Sequence, residues 1–226
     1  MNIITILLAA ENKAVDTGLI GFFIPGNPKF SWVMLALLLL SFLAVALIIE
    51  RFLYIGRRLG SVDQFLEKVR NAFNTGGTPE VIAIAEKSNL PVANVVKVAF
   101  ENIDENIDII AELMESEIMN ERTKLERFFG GINTIGTVAP LLGLLGTVIG
   151  LIKSFMDIAI SGQAGPLVVA AGIGEALYTT EFGLIIAVPV IYFYNYFSKK
   201  TADMTDEMEV ALRKLLKFIT AEVKSA

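Results

Sequence analysis

The chain has 226 residues, 54% of them hydrophobic, with a formal net charge of -5. This composition excludes an ordinary soluble domain. The lack of Cys and His excludes disulfides and thiolate chemistry, and removes the commonest metal ligand and general base, so no metal site and no cofactor are expected.

Taken in chain order, Ile3 to Ala10 look like the apolar core of a signal peptide but lack a basic stretch before them, and Lys13 and Asp16 follow closely. Residues 1–30 are therefore expected to be an amphipathic segment on the outer face, with Gly21 to Pro28 turning into the first span. Trp32 to Ile49 is interrupted only by Ser41, and Glu50 and Arg51 close it. The first span is placed at 31–50. About 20 residues rising ~1.5 Å each cross ~30 Å of hydrocarbon.

Residues 51–127 carry ten of the Lys and Arg residues and read as helical. Ser61 can cap a helix running to about Asn74, with Asp63 in its first turn. Gly76, Gly77 and Pro79 break the chain, and a second short helix reaches about Asn89. Beyond Pro91 the apolar positions Ile103, Ile107, Ile110, Met114, Ile118 and Leu125 recur at helical spacing, while acidic residues from Glu101 to Glu121 cover the other faces. With no Gly or Pro before Gly130, one long helix running into the second span is expected, its acidic side solvated.

The second span (128–156) carries small residues at Gly136, Pro140, Gly143, Thr147, Gly150 and Ser154, all on one face, with Gly146 and Gly150 as a further small pair. Close helix packing is one reading of Gly136, Gly143, Gly146 and Gly150. Lys153 is expected to reach the outer interface. A short link (157–166) leads to the third span (167–197), which bears two acids, Glu175 and Glu181. An acid at such depth costs at least ~2.5 kcal/mol on the insertion scale and usually marks an ion path or the binding of something charged. Gly172, Glu175, Ala176, Thr179, Thr180, Gly183 and Ala187 share one arc at ~100° per residue, while Glu181 points toward Leu177, Leu184 and Ile185. Thr147, Thr180 and Glu175 thus gather near mid-membrane as a candidate ion pathway, with Thr179 and Glu181 as further polar groups and Gly183 as a packing residue. Pro189 is expected to bend its helix. The tail (198–226) repeats an apolar stripe through Met204, Met208, Leu212, Leu215, Ile219 and Val223, a further amphipathic helix.

Lys and Arg crowd residues 51–127 and the tail but are absent from the link, which orients the N-terminus and the link outside and the middle segment and tail in the cytoplasm. The fold class is an all-α membrane protein with three transmembrane helices. A substrate transporter would show an internal repeat or paired broken helices, and neither is found. A non-conducting scaffold explains the glycines but not the two carboxyls, and an enzyme lacks its usual catalytic residues.

The run TVAPLLGLLGTVIGLIKSF from Thr137 to Phe155 resembles the signature of the MotA/TolQ/ExbB proton-channel family. So do GIGEALYTTEFGLIIAVP from Gly172 to Pro189, the pair Tyr194-Asn195, and Glu50-Arg51 after the first span. The resemblance implies a homopentamer in a bacterial inner membrane, its second and third spans lining a central pore. Within the pore would sit single helices of an ExbD- or TolR-like partner bearing a transmembrane Asp. That partner would act on a TonB- or TolA-like energy transducer, in outer-membrane transport or in envelope constriction. By position, Thr147 and Thr180 match the family's pore threonines and Glu175 its motif glutamate. Where Glu181 stands the family usually has a small or apolar residue. Three spans with a short N-terminus favour the ExbB/TolQ branch over the flagellar stator MotA, which has four; within the branch the reading leans to ExbB, with TolQ as the alternative.

Overall fold

The computed structural model describes residues 32–161 and 166–223; within these, side chains 157, 161, 166–172, 175 and 222–223 are left out of the description. The expectations for residues 1–30 fall outside it, as does the core of the predicted link. Every described element is helical: α1 (Trp32–Gly56), α2 (Val62–Lys87), α3 (Pro91–Glu101), α4 (Ile107–Leu125), α5 (Phe129–Ser161) and α6 (Pro166–Phe218), which ends in a π turn at Ile219–Val223. Among the described residues, three helices are long and apolar enough to cross a membrane.

The charge boundaries of the sequence are not helix ends. α1 continues past Glu50 to Gly56, and α6 runs unbroken through Ser198 into the predicted tail. Lys and Arg are good helix formers, so a charged residue marks where polarity changes without stopping the backbone.

The predicted single helix beyond Pro91 is instead three pieces. Asn102 donates to the Val98 carbonyl at 2.8 Å and closes α3, and Asn106 accepts from the Asp108 amide at 3.2 Å to cap α4. These are side chains that compete locally with the helix ladder. The second interruption is Phe128, in the left-handed region at φ +69°, with the guanidinium groups of Arg51 and Arg127 lying 5.3 and 4.8 Å from its ring centre. The expected break after Asn74 is present: Gly77 adopts φ +67° inside α2, just before Pro79. Ser61 caps α2 by accepting from the Gln64 amide at 3.4 Å.

The chain forms two compact units. One comprises Ile48–Gly130 together with Phe193 onward. Its core joins Phe65 and Val69 of α2, Val95, Val96 and Phe100 of α3, Ile110, Met114 and Ile118 of α4, and Met208, Leu212, Leu215 and Ile219 from the far end of α6. The ring of Phe73 lies 5.7 Å from that of Phe100 and 5.5 Å from that of Phe218. The two amphipathic stripes seen in the sequence therefore bury one another within one chain.

Glu121 departs from the expectation of a solvated acidic side. It is fully buried and accepts from Arg58 at 2.7 Å, Asn94 at 2.8 Å and Lys124 at 2.6 Å. The hydrogen bond to Glu121 holds the Lys124 ammonium above the usual lysine range. Arg51 is buried in the same unit. It pairs with Glu50, donates to the carbonyls of Lys124 and Leu125 at 3.1 and 3.3 Å, and stacks on Tyr54. A cation on the last carbonyls of α4 satisfies groups that the helix itself cannot.

The other unit holds α1 as far as Leu47 and Gly131–Tyr192 of α5 and α6.

Candidate functional site

α5 and α6 pack antiparallel through small residues. A methyl group on Gly143 would lie 2.7 Å from the Thr179 carbonyl oxygen and 2.9 Å from Thr180 Cα; one on Gly183 would lie 2.6 Å from the Ala139 carbonyl oxygen. Gly146 abuts the Thr179 side chain, Gly150 meets Ala176, and Gly136 meets Val190 and Ile191. Backbones this close are the geometry that small residues allow, and they leave no room for water between the helices at these positions. Any conduit must therefore run along a flank of the pair.

Thr179 belongs to this seam. Its hydroxyl is buried, donating toward its own-turn Ala176 carbonyl at 2.8 Å and lying 3.0 Å from the Gly143 carbonyl across the interface. Thr147 donates to the Leu144 carbonyl at 2.7 Å and is buried. The Thr180 hydroxyl is also enclosed but has no hydrogen-bond partner among the described residues. A buried hydroxyl without a partner costs free energy, so this is a place where another polar group is wanted.

The seam contacts fix relative depth. Gly150 is level with Ala176, Gly146 with Thr179, and Gly143 with Thr180 to Gly183, which sets Thr147 level with Thr179 and within about one residue rise of Thr180. At ~100° per residue, Thr147 stands about 70° from the centre of the seam on α5, and Thr180 about 70° from it on α6. Because the helices are antiparallel, equal offsets of the same sign fall on the same flank. The structure thus brings the two predicted threonines to one depth and one side.

Glu175 lies within α6, but its side chain is outside the described residues. Glu181 is exposed on α6, among exposed Leu177, Leu184, Ile185 and Val188.

Two apolar motifs meeting at glycines, with hydroxyls at one depth, agree with a sequence comparison. Residues 87–210 match the profile of the MotA/TolQ/ExbB proton channel family. The chain belongs to this family. With three apolar helices, it is a multi-pass membrane protein. Among relatives, the protein named ExbB-like 3 of Synechocystis is 33% identical over 167 residues, 73% of this chain and 80% of its own length. An ExbB homolog of Methanothermobacter thermautotrophicus is 31% identical over 150 residues, 66% of this chain and 53% of its own length. The Tol-Pal system protein TolQ of Pseudomonas aeruginosa is 40% identical over 92 residues, 41% of this chain and 40% of its own length. The chain thus matches about half the length of the Methanothermobacter protein and less of the Pseudomonas one. The ExbB- and TolQ-named relatives fit the ExbB/TolQ branch, and none of these names is that of an enzyme.

Sequence reasoning missed the Glu121 cluster and the burial of Arg51. Glu121 had a signal, because it continues the stripe Ile110, Met114, Ile118 and Leu125 at helical spacing.

Proposed function

We propose that this chain is the pore-forming subunit of a motor in the bacterial inner membrane driven by the proton motive force. It assembles as a homopentamer around a central pore, N-terminus outside, with residues 51–127 and the tail in the cytoplasm. A single-span ExbD- or TolR-like subunit carries an Asp into the pore and passes the resulting motion to a TonB- or TolA-like transducer, serving outer-membrane transport. Thr147 and Thr180 face that Asp, and Glu175 supports hydration or contact between copies.

The observation that carries the reading is the common flank of Thr147 and Thr180, at one depth beside a seam too tight for water, with the Thr180 hydroxyl lacking a partner among the described residues. A carboxyl from a second polypeptide is a chemically suitable partner for it. The driving force is sufficient: each charge crossing gains ~2.3 kcal/mol per 100 mV. The match to TolQ of Pseudomonas aeruginosa favours a second reading, the same machine serving envelope constriction.

Replacing Thr147 and Thr180 together with Val tests the assignment. Partner-dependent proton flux should vanish while assembly, read by native mass spectrometry, is retained. Full flux in that variant contradicts the assignment. Glu175→Gln should lower flux, and normal flux would show its charge to be dispensable.

A further inference from the structure

Within the unit that contains Glu121, α1 and α6 each carry the end of a membrane span. On α1, large apolar side chains stay exposed as far as Phe52 and Leu53; on α6, Tyr196 is exposed. Such side chains on a spanning helix mark where it touches lipid, and Tyr favours the level of the headgroups. One turn further along, each helix carries a pair of cations, Arg57-Arg58 after Leu53 and Lys199-Lys200 after Tyr196. The two pairs converge on one cleft, which Arg58 and Lys200 line together with Leu59, Val92 and Met204. An acid, Glu207, also lines it, but seven residues beyond Lys200 and so about 10 Å farther from the span along α6. The cations therefore stand at the membrane end.

Arg58 is held in place there. Its guanidinium lies 4.5 Å from the Tyr54 ring centre and gives one nitrogen to Glu121 at 2.7 Å. The side chains of Arg57, Lys199 and Lys200 make no ion pair or hydrogen bond among the described residues. The cleft encloses about 190 Å³, which is small beside the ~300–1,000 Å³ usual for sites that hold a whole small molecule. We propose that it binds the headgroup phosphate of an anionic phospholipid, with Arg58 and Lys200 on the phosphate and Arg57 and Lys199 beside it. The acyl chains would lie against the exposed surface of Phe52, Leu53 and Tyr196. A soluble anion would use the cations alone, whereas a lipid uses the cations and the apolar surface above them. Basic pockets at the ends of spanning helices suit acidic headgroups for this reason. The proposal needs α1 and α6 to span the membrane and is independent of the pore reading.

Full-length protein in detergent, titrated with phosphatidylglycerol and followed by native mass spectrometry, tests this. Phosphatidylglycerol should be retained in preference to phosphatidylcholine of the same chains. Lys199→Gln with Lys200→Gln should weaken retention about 25-fold, or about fivefold per cation, and Lys199→Arg with Lys200→Arg should preserve it. Lys68→Gln with Lys87→Gln removes the same charge from exposed positions of α2 outside the cleft and should leave retention unchanged. Equal weakening by the two glutamine pairs would reveal diffuse attraction to charge. Displacement of the lipid by equimolar glycerol 3-phosphate would reveal a site for soluble phosphates. Either result, or no preference over phosphatidylcholine, overturns the proposal. Retention is read without proton flux, so its failure leaves the pore reading standing.

Discussion

Gly143→Ala probes the seam on which the hydroxyl flank depends. The added methyl would fall 2.7 Å from the Thr179 carbonyl oxygen and 2.9 Å from Thr180 Cα, both backbone atoms that no rotamer change can move. Ordinary contact begins near 3.4 Å, so α5 and α6 must part by about 0.7 Å at the crossing. Overpacking of this kind costs ~1–3 kcal/mol. The same separation stretches the 3.0 Å approach of the Thr179 hydroxyl to the Gly143 carbonyl. Gly130→Ala is the control, because a methyl there meets nothing within 4 Å and Ala is favoured over Gly in a helix by ~1 kcal/mol. Thermal unfolding in detergent, followed by size exclusion, should show Gly143→Ala losing several degrees, since 1 kcal/mol moves Tm by about 2–4 °C for chains of this size. Adding Gly183→Ala should cost less than its separate effect, because both methyls force the same crossing apart. A Gly143→Ala protein as stable as Gly130→Ala would refute direct backbone contact between these helices.

Three further outcomes concern the unit containing Glu121. Glu121→Ala removes the acceptor shared by Arg58, Asn94 and Lys124, which are themselves partly exposed, a loss of ~1–3 kcal/mol that hydrogen exchange of α3 and α4 peptides should record as lost protection. Gly77→Ala forces a Cβ onto φ +67°, ψ -158°, a region essentially only glycine occupies, and should destabilise the α2 kink by ~1–3 kcal/mol in chemical denaturation. In alkaline titration, Glu121 raises the folded-state pKa of Lys124 above its unfolded value of ~10.4. That contribution is fully present below pH ~10.4 and is lost as pH climbs through the folded value. Glu121→Gln should flatten this part of the alkaline stability curve.

The three spans were legible because uninterrupted apolar length is a physical requirement of the bilayer, and the two glycine-rich runs because helical spacing aligns them on one face. Helix ends were less legible. Lys and Arg after a span change polarity without breaking a helix, so α1 and α6 outrun their apolar segments. The breaks at Asn102–Asn106 and Phe128 depend on side-chain caps and a positive φ that periodicity does not encode. In the site, the depth of Thr147 and Thr180 followed from counting along each helix. Their common flank required knowing which glycines meet which residues. Thr179 and Thr180 share one arc at helical spacing, yet one hydroxyl lies in the seam and the other is left without a partner among the described residues. Glu121 was missed because its charge outweighed its place in an apolar register.

Proton entry into liposomes under an imposed potential, followed with an internal pH dye, tests the central claim most directly. Flux is expected when this chain is reconstituted with a single-span subunit carrying an intramembrane Asp, and none when that Asp is replaced by Asn. Silence from a verified complex of both subunits would contradict it.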